Sequence, residues 1–141
     1  MAFKRPESVL VVVHTVDRQV LLLERVHPPG FWQSVTGSLE PGETPLDAAL
    51  RELEEETGLH ARPPELRDWQ RSNRFEIRPE WRGRYEPDVT HNIEHVFSLC
   101  LPTTQTVRLA PAEHLDHAWL PREEAARRVF SWTNRAAILD L

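Results

Sequence analysis

The chain has 141 residues and a net charge of −5, with 28% charged and 40% hydrophobic residues. This length suits one domain with its own core, and the composition is that of an ordinary globular protein. The negative charge argues against a nucleic-acid polymer or an anionic membrane as partner, and no run approaches the ~20 apolar residues of a membrane span.

Two strands are predicted first along the chain. The runs "SVLVVVHTV" (8–16) and "QVLLLERV" (19–26) are apolar or β-branched and are separated by "DR", which predicts a hairpin. The first run is short and lacks a small-residue cleavage site, so we interpret it as a strand and not as a signal peptide. The prolines and glycine of 27–30 end the second strand, and "FWQSVTG" (31–37) predicts a short strand that ends at its glycine.

The next segment carries the best-defined helix signals in the chain. Thr44 can cap the helix, Pro45 suits its first position, and Asp47 lies where a capping partner would reach back. Gly58 supplies the C-terminal stop. One apolar stripe is predicted to face the core, and it consists of Leu46, Ala49, Leu50, Leu53 and Thr57.

The second half of the chain predicts strands and helices without regular alternation. Residues 67–89 indicate strands around an irregular loop; strands follow at 92–101 and 117–120, and helices at 121–130 and 133–141. This pattern predicts an α+β fold in which helices pack on a mixed sheet, as a single domain over residues 1–141. The single cysteine, Cys100, excludes an intrachain disulfide, favours a cytoplasmic location and is expected to pack in the core.

Four glutamates stand within five positions of the helix, in "RELEEETG" (51–58). Glu52, Glu55 and Glu56 are spaced i, i+3 and i+4, so their carboxylates converge from adjacent turns and repel one another. Such a cluster is either a solvated acidic face or a site for a divalent cation. Mg²⁺ prefers hard oxygen ligands, and its charge would relieve the repulsion.

The spacing around this cluster resembles the signature of the Nudix hydrolase family. The matching positions are Gly37, Glu43, Arg51-Glu52-Leu53, Glu55-Glu56 and Gly58-Leu59. A chance match of this kind has a probability on the order of one in ten million. The resemblance implies a Nudix-type α/β/α sandwich with a mixed β-sheet and a signature loop and helix at 37–59. It also implies hydrolysis of a nucleoside-diphosphate-like compound by water that attacks phosphorus.

The same resemblance assigns roles to the acidic residues, with Mg²⁺ as cofactor and Mn²⁺ as an alternative ion. Glu52 and Glu56 become metal ligands, and Glu55 a lesser ligand or the base that activates water. Arg51 is expected to hold the ligand face in place by pairing with a carboxylate or with loop carbonyls; a surface salt bridge is the alternative. Glu113 becomes a third metal ligand or general base, unless it is a solvated loop carboxylate.

Blocks that span nearly the whole chain resemble a subfamily, the bacterial dihydroneopterin triphosphate diphosphatases of folate biosynthesis. They occur in the expected order and include "KRP", "FWQSVTGSLEPGET", "FEI", "RYEPDVTHNIEHVFSL", "EHLDHAWL" and "SWTNR". The implied reaction removes pyrophosphate from 7,8-dihydroneopterin 3′-triphosphate and leaves the monophosphate. The alternative is a Nudix pyrophosphatase acting on common or oxidised (deoxy)nucleoside triphosphates. A non-catalytic Nudix-like module is disfavoured because every acidic position of the signature is retained.

Substrate contacts are also implied by this resemblance. Arg25 and Lys4 would bind phosphate, and Thr36 would offer a hydroxyl or a backbone group. Glu76 could accept two hydrogen bonds from the guanine-like edge of a pterin while an aromatic side chain stacks on the ring. The full set is Lys4, Arg25, Thr36, Phe75, Glu76, Ile77, Arg78 and Ser131.

Each of these assignments has a structural alternative. Lys4 and Arg25 could be surface cations, Thr36 a turn residue, residues 75–78 an alternating strand face, and Ser131 a helix cap. We interpret two tryptophans, Trp69 and Trp81, primarily as core residues, with pocket walls as the alternative. The seven histidines show no zinc-like spacing and are interpreted as surface or core residues.

Overall fold

The computed structural model describes residues 3–141 of the chain. Its strands are β1 (Glu7–Thr15), β2 (Gln19–Arg25), β3 (Trp32–Gln33), β4 (Val35–Ser38), β5 (Leu66–Glu76), β6 (His91–Leu101) and β7 (His114–Pro121). Its α-helices are α1 (Pro45–Thr57), α2 (Arg122–Arg128) and α3 (Trp132–Leu139), and short 3₁₀ helices span Pro63–Glu65 and Pro79–Arg84. Among these residues, no helix has the length and apolar character that crossing a membrane requires.

The strands form one mixed sheet in the order β3-β2-β1-β6-β5, with β4 paired to β1 and β7 paired to β2. β1 is antiparallel to β2, which confirms the predicted hairpin, and antiparallel to β4. It is parallel to β6 in a register that sets Glu7 opposite Ile93 and Thr15 opposite Leu101. This central strand is covered on both faces, which explains its unbroken apolar run.

Helices cover the two faces of the sheet. Along β1 the side chains alternate, so that Val9 and Val11 join the core under α1 whereas Leu10 and Val12 join a second core under α2 and α3. The predicted α/β/α sandwich with a mixed sheet is therefore confirmed.

The helix α1 has the predicted boundaries and the predicted caps. The Thr44 side chain accepts from the Asp47 N–H at 3.1 Å, and the Asp47 carboxylate accepts from the Thr44 N–H at 3.1 Å. Pro45 is the first helical residue, and Gly58 adopts φ +75° at the C-terminal cap. The predicted apolar stripe is confirmed, since Ala49, Leu53 and Thr57 are buried and Leu46 and Leu50 pack against the same core.

The single strand predicted at 31–37 is wrong, because the structure has two strands that meet at Ser34. β3 pairs with β2, whereas β4 pairs with β1 and continues beyond Gly37. The Asn134 side chain on α3 accepts from the Ser34 N–H at 2.8 Å and donates to the Ser34 hydroxyl at 2.9 Å. This contact, between residues far apart in the sequence, stabilises the point at which the chain leaves its pairing with β2 and begins its pairing with β1.

Three further expectations differ from the structure. The second strand expected within 67–89 is a 3₁₀ helix that begins at Pro79, and the short strand at 117–120 is longer because β7 pairs along most of β2. Cys100 is exposed, so the prediction of core packing is wrong. It lies on the face of β6 that carries buried Val96, one residue before the C-terminal end of the strand.

The N-terminal cap of α1 gives a first test. Replacing exposed Thr44 by alanine removes the acceptor for the Asp47 N–H, so the free energy of unfolding should fall by about 1 kcal/mol. Urea denaturation followed by circular dichroism measures this change. Thr104→Ala, in an exposed loop, is the matched control and should leave the midpoint unchanged. Equal midpoints for the two variants would contradict the capping role.

Candidate active site

A cavity of about 790 Å³ opens beside α1, β4, β6 and the start of α3. Its walls include nearly all the residues that the sequence analysis singled out: Lys4, Arg25, Thr36, Arg51, Glu52, Glu55, Phe75, Glu76, Ile77, Arg78, Glu113 and Ser131. Glu56 is the exception, because it is fully buried behind this surface. The fold thus brings together residues that are spread over most of the chain.

Arg51 joins the acidic face of α1 to the loop before the helix. Its guanidinium donates to both carboxylate oxygens of Glu43 at 2.7 and 2.9 Å and to Glu52 Oε1 at 2.8 Å. It also donates to the Ser38 carbonyl at 3.1 Å and to Glu55 Oε2 at 3.2 Å. Because the protein itself engages these donors, Arg51 positions the carboxylates and has little capacity left for a ligand.

Glu56 and Glu52 are buried, so a solvated acidic face is excluded for both. Neither carboxylate oxygen of Glu56 has a hydrogen-bond partner within residues 3–141. Burial raises the pKa of Glu56 well above its ordinary value, and the neighbouring Glu52 carboxylate and the charge of Glu113 add to the effect. A carboxylate buried in this way is costly unless a cation or a donor compensates it.

A group of potential metal ligands lies around Glu56. Glu56, Glu113 and His114 each place one ligand atom within 4.8 Å of the others. Burial and the charge of Arg25 lower the pKa of His114 to about 4, so its ring is neutral at pH 7. Oxygen ligands of this kind suit Mg²⁺ or Mn²⁺, and a neutral imidazole can add a nitrogen ligand. The donor set therefore fits a divalent cation.

Sequence reasoning missed His114 as a member of this group. No second histidine stands at a metal-binding spacing from it, and its only signal was that Glu113 precedes it at the start of β7. The predicted ligand Glu52 is not among the three clustered residues, and its Oε1 is paired with Arg51 at 2.8 Å. The structure thus places Glu52 and Glu113 in the wall of one cavity and Glu56 behind it. Glu52 is paired with Arg51, whereas Glu56 is grouped with Glu113 and His114.

Gly37 allows β4 to approach the carboxylate of Glu52. A Cβ atom at position 37 would overlap the Cδ atom and both carboxylate oxygens of Glu52. Any side chain here must displace Glu52, which explains the need for glycine at this point of the signature loop.

Three cations form a positive wall beside the acidic cluster. The pKa of Lys4 is lowered by burial and then by the charges of Arg84 and Arg25, and burial and Arg84 lower the pKa of Arg25. The ion pairs found within residues 3–141 include none of the three. Cations that lie near carboxylates but form no ion pair with them in this part of the chain suit a polyanionic ligand. Arg84 was not predicted from the sequence.

The two tryptophans considered from the sequence have different positions. Trp81 is a cavity wall, and the Arg25 and Arg78 guanidinium carbons lie 4.8 and 5.3 Å from its ring centroid. Its ring meets that of Phe130 edge-on, with centroids 5.9 Å apart. Trp69 instead packs against the core under α2 and α3, and its Nε1–H donates to the Ser98 hydroxyl at 2.8 Å.

Several predicted substrate contacts have partners within the protein. The Thr36 hydroxyl donates to the Val9 carbonyl at 2.8 Å, so its proton is used inside the sheet. Ser131 caps α3, as the structural alternative proposed, although it also lines the cavity. Glu76 is exposed, and its carboxylate lies 3.5 Å from Arg82. The environment of Glu76 is therefore not that of a buried acceptor for a ring.

Comparisons with known proteins identify the family to which this chain belongs. Residues 4–141 match the family model of the NUDIX domain. The chain is 45% identical over 139 residues to dihydroneopterin triphosphate diphosphatase of Escherichia coli (strain K12), covering 96% of this chain and 91% of that protein. A protein of the same name from Haemophilus influenzae is 42% identical over 141 residues, covering 98% of this chain and 88% of that protein. A solved structure of the E. coli dihydroneopterin triphosphate pyrophosphohydrolase matches with a TM-score of 0.92 at 44% identity, covering 100% and 97% of the two chains.

The contact between Gly37 and Glu52 predicts the behaviour of a conservative variant. Gly37→Ala should displace the Glu52 carboxylate and weaken the binding of Mg²⁺ or Mn²⁺ by about 10- to 100-fold, as loss of support around a metal site does. Titration calorimetry with each metal measures the affinity. Gly83→Ala is the matched control, because a Cβ there would meet no atom within 4 Å. If Gly37→Ala bound Mg²⁺ and Mn²⁺ with wild-type affinity, the result would argue against Glu52 as a metal ligand.

Proposed function

This chain belongs to the Nudix family of hydrolases, and from that premise we propose that it removes pyrophosphate from 7,8-dihydroneopterin 3′-triphosphate, leaving the monophosphate. The observation that carries the proposal is the buried carboxylate of Glu56, which has no hydrogen-bond partner within residues 3–141 and lies beside Glu113 and Arg25 of the positive wall. The names and the coverage of the two relatives support the choice of substrate. In this proposal the reaction belongs to folate biosynthesis, and the partner is a small-molecule triphosphate. A cytoplasmic location is part of the same proposal.

Mg²⁺ is the proposed cofactor, with Mn²⁺ as an alternative. Nudix hydrolases generally require a divalent metal, and Glu52 and Glu56 would hold it, with Glu113 and His114 adjacent. When bound, the ion supplies charge neutralisation at the phosphates and makes water a stronger acid.

The residues of the chain would then bind and orient the substrate. Lys4, Arg25 and Arg84 would bind the phosphate oxygens, where the arginine forks can make paired hydrogen bonds. Positioning of this kind supplies most of the acceleration in phosphoryl transfer. Trp81 would lie against the ring of the substrate.

Two carboxylates of the cavity are candidates for accepting the proton of the attacking water. Glu113 has a pKa raised by burial and by the charges of Glu52 and Glu55, opposed by Lys4 and Arg25. A raised pKa makes a carboxylate a stronger base near neutral pH. Glu55 is the other candidate, but its Oε2 is already paired with Arg51. We therefore assign the general base to Glu113; in that role it would not be the third metal ligand, and Glu52 and Glu56 would hold the ion.

A comparison of substrates tests the proposal directly. With Mg²⁺ present, release of pyrophosphate from dihydroneopterin triphosphate should proceed with a higher kcat/KM than release from any of the eight common nucleoside and deoxynucleoside triphosphates. Product identification should give the monophosphate. Equal or faster turnover of a nucleotide would refute the assigned substrate and favour the nucleotide pyrophosphatase alternative.

The central role of Glu56 is tested by Glu56→Gln, which keeps the shape of the side chain and removes its charge. Pyrophosphate release should fall by about 100-fold or more, because a neutral amide cannot offset a cation. Circular dichroism should show an unchanged fold, since the burial of a charged group is relieved. Glu54→Gln, at an exposed position of the same helix, should keep the wild-type rate. An unaltered rate in Glu56→Gln would refute its part in metal binding.

A further inference from the structure

A second buried carboxylate faces the cavity outside the acidic cluster of α1. Glu94 lies on β6, is 5% exposed and lines the cavity, and its Oε1 has no hydrogen-bond partner within residues 3–141. Asn92 lies two residues earlier, on the same face of the strand, and is 4% exposed. Its Nδ2 donates to the Ser8 hydroxyl at 2.8 Å, but its Oδ1 has no partner in the same part of the chain. Two unpartnered acceptors therefore stand side by side at the cavity.

This arrangement lowers the stability of the free protein. Burial raises the pKa of Glu94, while hydrogen bonding with the side chains of Thr133 and Asn73 opposes the shift. Oε1 is the carboxylate oxygen left without a partner within residues 3–141. No lysine, arginine or histidine forms an ion pair with Glu94 in the range 3–141. A buried acceptor without a donor costs free energy that a leucine at the same place would avoid. A buried acceptor without a donor is expected at a binding site, where the ligand supplies the missing hydrogen-bond donor.

The sheet sets the distance between Glu94 and the signature loop. Ser8 of β1 is paired with Glu94 on one side and with Ser38 on the other, and all three residues line the cavity. Neighbouring strands are separated by ~4.8 Å, so Glu94 lies about 10 Å from the strand that carries the loop. This distance suits a ligand with a ring at one end and phosphates at the other.

A carboxylate accepts two parallel hydrogen bonds when a ligand presents two adjacent N–H groups. The 2-amino-4-oxopyrimidine ring shared by pterins and guanine has such an edge, made of a ring N–H and an exocyclic amino group. The pairing edges of adenine, cytosine and thymine do not carry two adjacent donors. The chemistry of Glu94 therefore selects one class of ring among those that carry a triphosphate.

We propose that Glu94 recognises the ring of the substrate by accepting two hydrogen bonds from a 2-amino-4-oxopyrimidine edge, with Asn92 Oδ1 as a neighbouring acceptor. This inference rests on the proposed function, since it names the residue that selects the ring in the same cavity. The sequence analysis gave the role of accepting two hydrogen bonds from the ring to Glu76, and the present inference gives it to Glu94. The Glu76 side chain is 66% exposed and already lies beside Arg82, so it is poorly placed for a desolvated contact.

Ligand analogues test the inference on the unaltered protein. Triphosphates of guanosine, inosine and adenosine with a methylene group between the α and β phosphorus atoms bind without release of pyrophosphate. With Mg²⁺ present, calorimetry should show the guanosine analogue binding about 10- to 100-fold more tightly than the other two. Inosine lacks only the 2-amino group of guanosine. Equal affinity for the guanosine and inosine analogues would overturn the proposal.

Variants test the residue itself. Glu94→Gln should weaken the binding of the guanosine analogue by at least about tenfold and leave the adenosine analogue unchanged, so that the two affinities converge. Its melting temperature should be equal or higher, because a buried charge without an ion-pair partner within residues 3–141 is removed. Glu124→Gln, at an exposed position on α2, is the control for the same chemical change. The assignment would be overturned if Glu94→Gln still bound the guanosine analogue more tightly than the adenosine analogue. It would also be overturned if Glu76→Gln abolished this preference while Glu94→Gln kept it.

These measurements separate the inference from the proposed function. If the unaltered protein fails to hydrolyse dihydroneopterin triphosphate, the proposed function is refuted, while the ratio of guanosine to inosine affinity still decides the role of Glu94. If hydrolysis proceeds but the analogues bind equally, the proposed function stands and the recognition by Glu94 is refuted. If Glu94→Gln does not fold, the ligand series on the unaltered protein decides whether Glu94 recognises the ring.

Discussion

The guanidinium of Arg51 is the contact on which the acidic end of the cavity depends. It binds Glu43 with two hydrogen bonds and reaches Glu52 and the Ser38 carbonyl, so one side chain fixes the helix α1 against β4. This pairing offsets part of the repulsion among carboxylates on adjacent turns. Glu56 has no such partner within residues 3–141 and lies buried. Arg51 thus compensates only some of the carboxylates of α1. The carboxylate of Glu56 is left uncompensated, at the place where a phosphate-bound cation would lie in the proposed function.

Local signals were sufficient for the elements whose determinants lie close together in the sequence. The caps of α1, its apolar stripe and the hairpin of β1 and β2 all follow from residues within a few positions of one another. The break at Ser34 could not be predicted in this way, because it depends on Asn134 from the far end of the chain. The exposure of Cys100 likewise depends on what the rest of the fold packs over the end of β6, which the apolar run of the strand does not reveal.

The same distinction applies to the cavity. The signature spacing predicted the acidic cluster of α1. It did not predict Glu94 as a cavity residue, because the burial of a strand residue depends on what packs over each face of the sheet. A signal was nevertheless present in β6, where apolar Ile93 is 43% exposed while its charged neighbour Glu94 is buried. This order is the reverse of an ordinary half-buried strand. A strand whose charged positions face the core is a candidate ligand wall, particularly when its neighbours carry unpartnered amides.

The parallel pairing of β1 with β6 also affects how the chain folds. Glu7 pairs with Ile93, so β1 and β6 can join only after the long segment of chain between them has been closed into a loop. Contacts so remote in sequence slow folding, because the entropy of loop closure is lost before the pairing compensates it. During synthesis, the apolar residues of β1 leave the ribosome well before β6 exists. Until then one edge of β1 is open to other chains, which makes chaperone capacity and growth temperature determinants of the yield of soluble protein.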